Sequence, residues 1–193
     1  MNPMQIETDR LRLRSWVEDD RDAFAKLNAD SVVMADLGGP LTRDLSDAKL
    51  ERYIDAFRHN GYGRWLVETL AGRFLGYCGV MPVAEDHPIG PHDEVGWRLH
   101  RSAWGHGYAT EAARAALSDA FRRVQLTEVL AYTSTDNVRS QAVMRRLHLC
   151  RDESRDFEVC NDRLGSWRGL VWSATPTLLT GSEHSGSPDH GAA

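Results

Sequence analysis

The hydrophobic pattern divides the chain into short strands and amphipathic helices. Leu11 and Leu13 alternate with arginines, which is the period of a half-buried strand. Between Leu45 and His59, apolar residues such as Leu50 and Phe57 recur at helical spacing, so this segment is predicted to be a helix with one buried face.

The same reading of the remaining chain predicts seven strands and four helices in the order β-α-α-β-β-β-α-β-α-β-β. Strands are predicted around residues 10–14, 65–69, 74–80, 95–99, 129–133, 155–160 and 168–173, and helices around 18–27, 45–59, 108–124 and 137–147. This order indicates one mixed α/β domain over residues 1–175. Residues 176–193 are rich in Gly, Ser, Pro and His, so a disordered tail is predicted there.

Composition narrows the classes of partner. The net charge of −5 comes from interspersed signs, which gives no reason to expect nucleic acid. No apolar run is long enough for a membrane span, and the first residues lack a signal-peptide core, so we expect no membrane partner. Three cysteines without metal-ligand spacing predict no metal site and a cytoplasmic location. A homodimer is left open.

The candidate chemistry lies where a predicted strand, Val95–Leu99, is followed by a glycine turn and a helix. Gly105 and Gly107 precede the helix predicted to begin at Tyr108. Free N–H groups and the helix dipole make such an end an anion site, and glycines let a phosphate approach. The alternatives are a simple turn or a dinucleotide-binding turn, although Thr110 stands where the latter needs a third glycine.

The residues around this turn carry a resemblance to a known family. Trp104 to Ala109 resembles the pyrophosphate-binding motif of the GNAT superfamily of N-acetyltransferases, and the flanking Gly107–Ala112 is also similar to that family. Trp104 in place of the usual Gln or Arg is similar to the branch of bacterial ribosomal-protein N-terminal acetyltransferases. Thr8–Arg14, Leu75–Gly79 and the helix beginning at Asn137 resemble other parts of that branch. The resemblance implies a GNAT fold: a mixed sheet of about seven strands, splayed between strands 4 and 5, with about four helices.

The resemblance also implies acetyl-CoA as cosubstrate and assigns residues to it. The backbone of Arg98 and Leu99 would pair with the pantetheine arm as a short strand would. Asn137 would hydrogen-bond the pantetheine or hold its helix against it. The residues assigned to the coenzyme are Arg98, Leu99, Trp104, Gly105, His106, Gly107, Tyr108, Ala109, Thr110, Asn137 and Ser140.

The implied reaction is direct attack of a primary amine on the acetyl thioester, which requires no cysteine nucleophile. Glu94 is the leading candidate for the base that accepts the amine proton, acting through water. Glu68, His92 and Asp93 are the alternatives. A backbone N–H between Trp97 and Leu99 is the candidate for oxyanion stabilisation.

Protonation of the leaving thiolate is assigned less directly. Many GNAT enzymes have a tyrosine where this chain has Met144, and methionine cannot donate a proton. Ser140 or a water is therefore the candidate donor. The missing tyrosine also leaves open a non-catalytic acyl-CoA-binding module.

The acceptor is expected to enter from the face opposite the coenzyme. The loops Ala29–Thr42 and Asn161–Ser166 would shape its site, with Met34, Leu37 and Trp167 lining it. Two acceptor classes are consistent with the resemblance: the α-amine of a protein N-terminus, or a small-molecule amine such as an antibiotic or polyamine. An α-amine, with a pKa of about 7.7–8.0, needs a weaker base than a lysine amine at about 10.4.

Overall fold

The computed structural model of the chain describes residues 4–161 and 165–177. The predicted tail beyond residue 177, and residues 162–164 of the predicted acceptor loop, lie outside this range. The strands are β1 (Gln5–Glu7), β2 (Leu11–Arg14), β3 (Arg64–Thr69), β4 (Phe74–Val83), β5 (His92–Leu99), β6 (Val129–Ser134), β7 (Cys150–Arg151), β8 (Phe157–Asn161) and β9 (Gly165–Ala174). The helices are α1 (Arg21–Ala29), α2 (Arg43–Asn60), α3 (Tyr108–Arg122) and α4 (Val138–Arg146).

The nine strands found in the described residues form one sheet in the order β1-β2-β3-β4-β5-β6-β9-β7, with β8 also paired to β9. Neighbouring strands are antiparallel except β5 and β6, which are parallel. In the described part of the chain their ladder contains the single pair Glu94–Leu130. The two strands therefore diverge toward their carboxyl ends, and the sheet opens into a cleft there.

The helices cover both faces of the sheet. α3 packs on β4 and β5 through a small-residue face that includes Ala112, Ala113 and Ala116, as its sequence predicts. α4 adds Val143 and Met144 to the same core cluster. α1 and α2 cover the opposite face, where they bury an aromatic cluster of Trp16, Phe24, Tyr53 and Tyr77. Burial on both sides makes the centre of the sheet a rigid frame for the cleft.

The predicted fold class is confirmed, and the differences are local. β5 and β6 are the fourth and fifth of the seven predicted strands, so the splay lies where the resemblance places it. β1 and β7 were not predicted, because runs of three and two residues carry no periodic signal. The predicted loop Asn161–Ser166 was too long, since β8 extends to Asn161 and β9 begins at Gly165.

Candidate active site

A cavity of about 1000 Å³ occupies the cleft between β5 and β6. Its walls come from the end of β5, the turn before α3, the first turns of α3 and α4, and the segment between α1 and α2. Residues assigned to the coenzyme from the sequence line it together: Arg98, Leu99, Trp104, Gly105, Gly107, Tyr108, Ala109, Thr110, Asn137 and Ser140. His106 lies in the same turn with its side chain exposed.

The turn before α3 presents unpaired backbone N–H groups. Gly105 and Gly107 both have φ of +79°, in the left-handed region that favours glycine. Glu111 N–H donates to the Gly107 carbonyl at 3.0 Å and closes the first turn of α3. The N–H groups of residues 108–110 precede this bond, so no helical carbonyl is available to them. With the helix dipole they form an anion site facing the cavity.

Glu111 is the acidic residue in the first turn of α3, and its carboxylate is turned away from the cavity. It accepts from the Thr8 hydroxyl at 2.6 Å and from Arg10 Nε at 2.7 Å. Burial raises the pKa of Glu111, but these hydrogen bonds outweigh it and the net pKa is lowered. Arg10 also donates to the His106 carbonyl at 3.0 Å. The glycine turn is therefore tied to the turn between β1 and β2 while its N–H groups stay open.

Trp104, which replaces the usual polar residue of the motif, anchors the turn to β5. Its Nε1–H donates to the Leu99 carbonyl at 2.9 Å, and the Arg139 guanidinium stacks 4.0 Å from its ring centroid.

Within the described chain, Thr110 Oγ1 is buried and has no hydrogen-bond partner. The cavity also contains three arginines, which suit an anionic ligand: Arg98, Arg139 and Arg146.

The edge of β5 that faces the cavity is free for pairing. Beyond Glu94 no ladder pair joins β5 to β6 in the described residues, so the backbone from Val95 to Leu99 has an open side. An extended ligand with amide groups can pair with such an edge.

The first turn of α4 forms the opposite wall. Asn137 Oδ1 accepts from Ser140 N–H at 3.1 Å, and Asn137 Nδ2 donates to Asp36 Oδ2 at 2.7 Å. Both polar atoms of Asn137 are thus engaged by the protein. This arrangement fits the second predicted role, holding α4 in place, better than direct contact with pantetheine. Ser140 lines the cavity, whereas Met144 is only 2% exposed and belongs to the core.

Glu94 is held by a buried arginine, Arg64, from β3, which lies two strands away in the sheet. The Arg64 guanidinium donates to the Glu94 carboxylate and, at 2.9 Å, to the Glu94 carbonyl. A Cβ at Gly96 would lie 2.9 Å from Arg64 Nη2, so the absence of a side chain there admits the guanidinium. The carboxylate is close to the splay point, but an amine proton has to compete with Arg64 for its oxygens.

The other candidate bases also have partners. Glu68 accepts from two arginines of β2 at 3.1 and 3.3 Å. Asp93 accepts from the Tyr62 hydroxyl at 2.6 Å. His92 Nδ1 lies 2.8 Å from the Gly90 carbonyl, so this nitrogen carries the proton. Its Nε2 is buried without a partner among the described residues.

The residues expected to line the acceptor site lie in different environments. Met34 is only 1% exposed, with its side chain enclosed in the segment that turns between α1 and α2, and its role at the acceptor site stays a prediction. Leu37 is 39% exposed in the same segment. Trp167 lies within β9, not in a loop, and packs on Phe157 with ring centroids 5.5 Å apart. Membership of a loop does not determine the direction of a side chain.

Sequence reasoning missed a buried polar cluster behind the cavity wall. Lys49 Nζ donates to the Tyr77 hydroxyl at 3.1 Å, and Tyr77 is the cross-strand partner of Arg98. Burial opposes ionisation of Tyr77, but the Lys49 and Arg98 cations outweigh burial and lower its pKa to about 7. Tyr53 packs against the same ring at 5.3 Å. No motif marks this cluster, because its members come from three separate elements.

The lowered pKa of Tyr77 makes a testable prediction. We expect tyrosinate absorbance to appear in the folded protein near pH 7, well below the ordinary value of 10.0, and to be lost in Tyr77→Phe. Because the folded pKa is depressed, the ionised form stabilises the fold above about pH 10, and this contribution is lost as pH falls toward about 7. Urea titrations of parent and variant should therefore diverge as pH rises through this range. Absorbance that first appears only near pH 10 would contradict the prediction.

Within residues 4–161 and 165–177, no helix combines the length and apolar character needed to cross a bilayer. In the same residues, no group of three or more His, Cys, Asp and Glu side chains gathers as a metal site.

Comparisons with known proteins agree with this geometry. The family profile described as an acetyltransferase (GNAT) domain matches residues 10–149. The uncharacterized protein YkkB of Bacillus subtilis is 33% identical over 150 residues, which cover 74% of this chain and 83% of YkkB. The FsC-acetyl coenzyme A-N(2)-transacetylase of Aspergillus fumigatus is 33% identical over 146 residues, covering 72% of this chain and 62% of that protein.

Among solved structures, the RimL ribosomal L7/L12 alpha-N-protein acetyltransferase in complex with coenzyme A has the same fold. It aligns with a TM-score of 0.69 and 17% identity, over 89% of this chain and 98% of that one. The family profile spans the sheet from β2 through α4, including every wall of the cavity. The chain therefore belongs to the GNAT family of acetyltransferases.

Proposed function

We propose that this GNAT acetyltransferase moves the acetyl group of acetyl-CoA onto the α-amine at the N-terminus of a protein. The observation that carries the proposal is the cavity between β5 and β6, with the N-terminus of α3 at one end and a free strand edge along one side. These features suit the two halves of the coenzyme, an anionic diphosphate and an amide-bearing arm.

The residues of the cavity fit acetyl-CoA in three independent ways. Gly105 and Gly107 leave the N–H groups of residues 108–110 accessible to a phosphate. Thr110 Oγ1 is a buried hydroxyl with no partner in the described chain, and a phosphate oxygen would satisfy it. Arg139, whose guanidinium carbon lies 4.0 Å from the Trp104 ring centroid, places a cation in the same cavity.

Acetyl-CoA supplies a thioester that an amine can attack directly, so the protein itself needs only to orient the amine, stabilise charge and move protons. The open backbone of β5 offers N–H groups between Trp97 and Leu99 for a developing oxyanion. Ser140 is the hydroxyl on the α4 wall of the cavity and is the proposed proton donor to the leaving sulfur. Glu94 is the proposed proton acceptor, acting through water.

The state of the candidate bases favours an acceptor with a low pKa. Glu94 is bound to Arg64, Glu68 to two arginines and Asp93 to Tyr62, so none of these three carboxylates is free. An α-amine, at a pKa of about 7.7–8.0, is partly neutral at pH 7 and needs little help. A lysine amine has a pKa near 10.4, so its deprotonation costs roughly 3.5 kcal/mol more than that of an α-amine. An N-terminal α-amine is therefore the better match for this site.

A small-molecule amine is the second candidate. The relative from Aspergillus fumigatus is named for transfer from acetyl coenzyme A to an N(2) position of FsC. Its 33% identity to this chain is higher than the 17% of the RimL structure, whose likeness concerns the fold alone.

Thiol release from acetyl-CoA over a panel of amines tests the acceptor. We expect turnover with short peptides that carry a free N-terminus, and at least about 10-fold less with the same peptides when the N-terminus is blocked and only lysine is free. Mass spectrometry identifies the modified amine. Turnover with polyamines or aminoglycosides alone would select the second candidate, whereas coenzyme binding without transfer to any amine would favour a binding module.

A melting experiment tests the coenzyme separately. Acetyl-CoA at about 100 times its Kd should stabilise the fold by about 2.7 kcal/mol, which is roughly 5–10 °C for a chain of this size. NAD serves as the control, because it also carries a pyrophosphate but lacks the pantetheine arm. An equal shift with NAD, or no shift with acetyl-CoA, would contradict the assignment.

A cytoplasmic location is part of this proposal. Cys78, Cys150 and Cys160 are unpaired, which is typical of proteins in a reducing compartment.

A further inference from the structure

The segment between α1 and α2, residues 30–42, crosses the outer side of the cavity. We call it the crossing segment. It contains the short turn Ala35–Leu37, and Val32, Val33, Ala35 and Asp36 line the cavity from this side. The segment therefore forms a third wall, in addition to β5 and α4.

One carboxylate of the crossing segment joins the other two walls. Arg98 Nη1, from β5, donates to Asp36 Oδ1 at 2.8 Å. Asn137 Nδ2, from the start of α4, donates to Asp36 Oδ2 at 2.7 Å. Each carboxylate oxygen thus binds a different side of the cleft. Asp36 is 62 positions from Arg98 and 101 positions from Asn137 in the chain. We call this set the Asp36 bridge.

Both partners of Asp36 are oriented by a second bond. The Arg98 guanidinium also donates to the Val33 carbonyl of the crossing segment, and its side chain is 11% exposed. Asn137 Oδ1 caps α4 through the Ser140 N–H. Because each partner is already held in one orientation, little further side-chain entropy is lost when it binds Asp36. The partners of Asp36 are therefore preorganised for the bridge. Asp36 itself is 37% exposed, so water partly screens its charge.

The guanidinium held by Asp36 retains an unused donor. Arg98 Nε–H is buried and has no acceptor within the described residues. Arg98 lines the cavity beside the open edge of β5, where an amide-bearing ligand would lie. A carbonyl oxygen of such a ligand is the kind of acceptor that this donor lacks.

We propose that Asp36 is a positioning residue for the coenzyme, which holds the crossing segment against the cleft and sets the separation of Arg98 and Asn137. The inference rests on the proposed function, because the separation of the walls matters only if the cleft takes an acyl-CoA. Asp36 acts through Arg98 and Asn137, and is not a group that reacts.

The test removes one acceptor oxygen from the bridge while keeping the size of the side chain. Asp36→Asn should raise the Kd for acetyl-CoA about 10-fold, measured by calorimetry, because charge-assisted hydrogen bonds to both walls are weakened. Amide exchange of the crossing segment should quicken in the ligand-free protein. Asp44→Asn is the matched control: it removes the same charge from an exposed site in the first turn of α2, and both quantities should stay at the parent's values.

A second pair of variants separates bridging from a general loss of charge. Asn137→Asp keeps an oxygen to cap α4 but faces Asp36 with a like charge, so it should loosen the crossing segment as Asp36→Asn does. Combining the two substitutions exchanges donor and acceptor between the two positions. The combined variant should exchange the amides of the crossing segment more slowly than either single variant and recover part of the affinity.

The outcomes distinguish this inference from the proposed function. Parental exchange of the crossing segment in folded Asp36→Asn, or no recovery in the combined variant, would overturn the positioning role. If the parent protein binds no acetyl-CoA, the proposed function fails, while the exchange rates of the ligand-free variants still decide whether the bridge holds the segment.

Discussion

Gly107→Val is expected to raise the Kd for acetyl-CoA by at least about 100-fold, beyond the measurable range, while the protein stays folded. Gly107 caps α3 with φ of +79°, where a β-branched residue is strained by more than about 1–2 kcal/mol. The turn relieves that strain by moving the N–H groups that face the cavity. Loss of two charge-assisted hydrogen bonds to phosphate, each about 1.5–3 kcal/mol, accounts for the expected change in Kd.

The control for this variant is Gly72→Val. Gly72 has φ of +80° in the turn between β3 and β4, and a Cβ there would meet nothing within 4 Å. It should therefore suffer the same backbone strain without touching the cavity. At Gly107 a Cβ would lie 3.5 Å from Arg10 Nη2, an ordinary contact, so a general steric collapse is not expected. Calorimetry that gave Gly107→Val the parental Kd would show that this turn does not hold the coenzyme.

The part of the site that sequence predicts well is the part that local chemistry specifies. The glycine turn can be predicted because left-handed backbone at two positions favours glycine there. The start of α3 can then be predicted because the helix begins directly after the second glycine. The small-residue face of α3 is likewise a local pattern that packing on the sheet then uses. The order of strong strands and helices predicted a layered α/β domain, whereas the position of the splay came from the family resemblance.

The contacts that complete the site are long-range, and no local pattern encodes them. Arg64 and Glu94 are 30 residues apart, and Asp36 and Asn137 are 101 apart. Each side chain is a plausible surface residue when the sequence is read alone. Only the strand pairing and the path of the crossing segment bring them together.

Glu94→Gln is expected to lower kcat by about 10- to 100-fold, with the Kd for acetyl-CoA within about two-fold of the parent's. Glutamine has the same shape but cannot accept a proton from the amine. The variant also leaves the buried Arg64 guanidinium without its anionic partner, so a lower free energy of unfolding is expected as well. Turnover with an amine that the parent acetylates, and calorimetry with acetyl-CoA, measure the two quantities.

The matched control is Glu68→Gln on β3, because Glu68 is also a glutamate bound by arginine, through Arg12 and Arg14. It should lose stability in the same way and retain turnover.

If Glu94 is the base, a further result is expected, because help with deprotonation matters most for amines that are mostly charged. The loss of kcat in Glu94→Gln should therefore grow with the pKa of the acceptor amine, from N-terminal peptides to lysine-like amines. A loss that is equal for all acceptors would instead assign Glu94 an electrostatic role through Arg64.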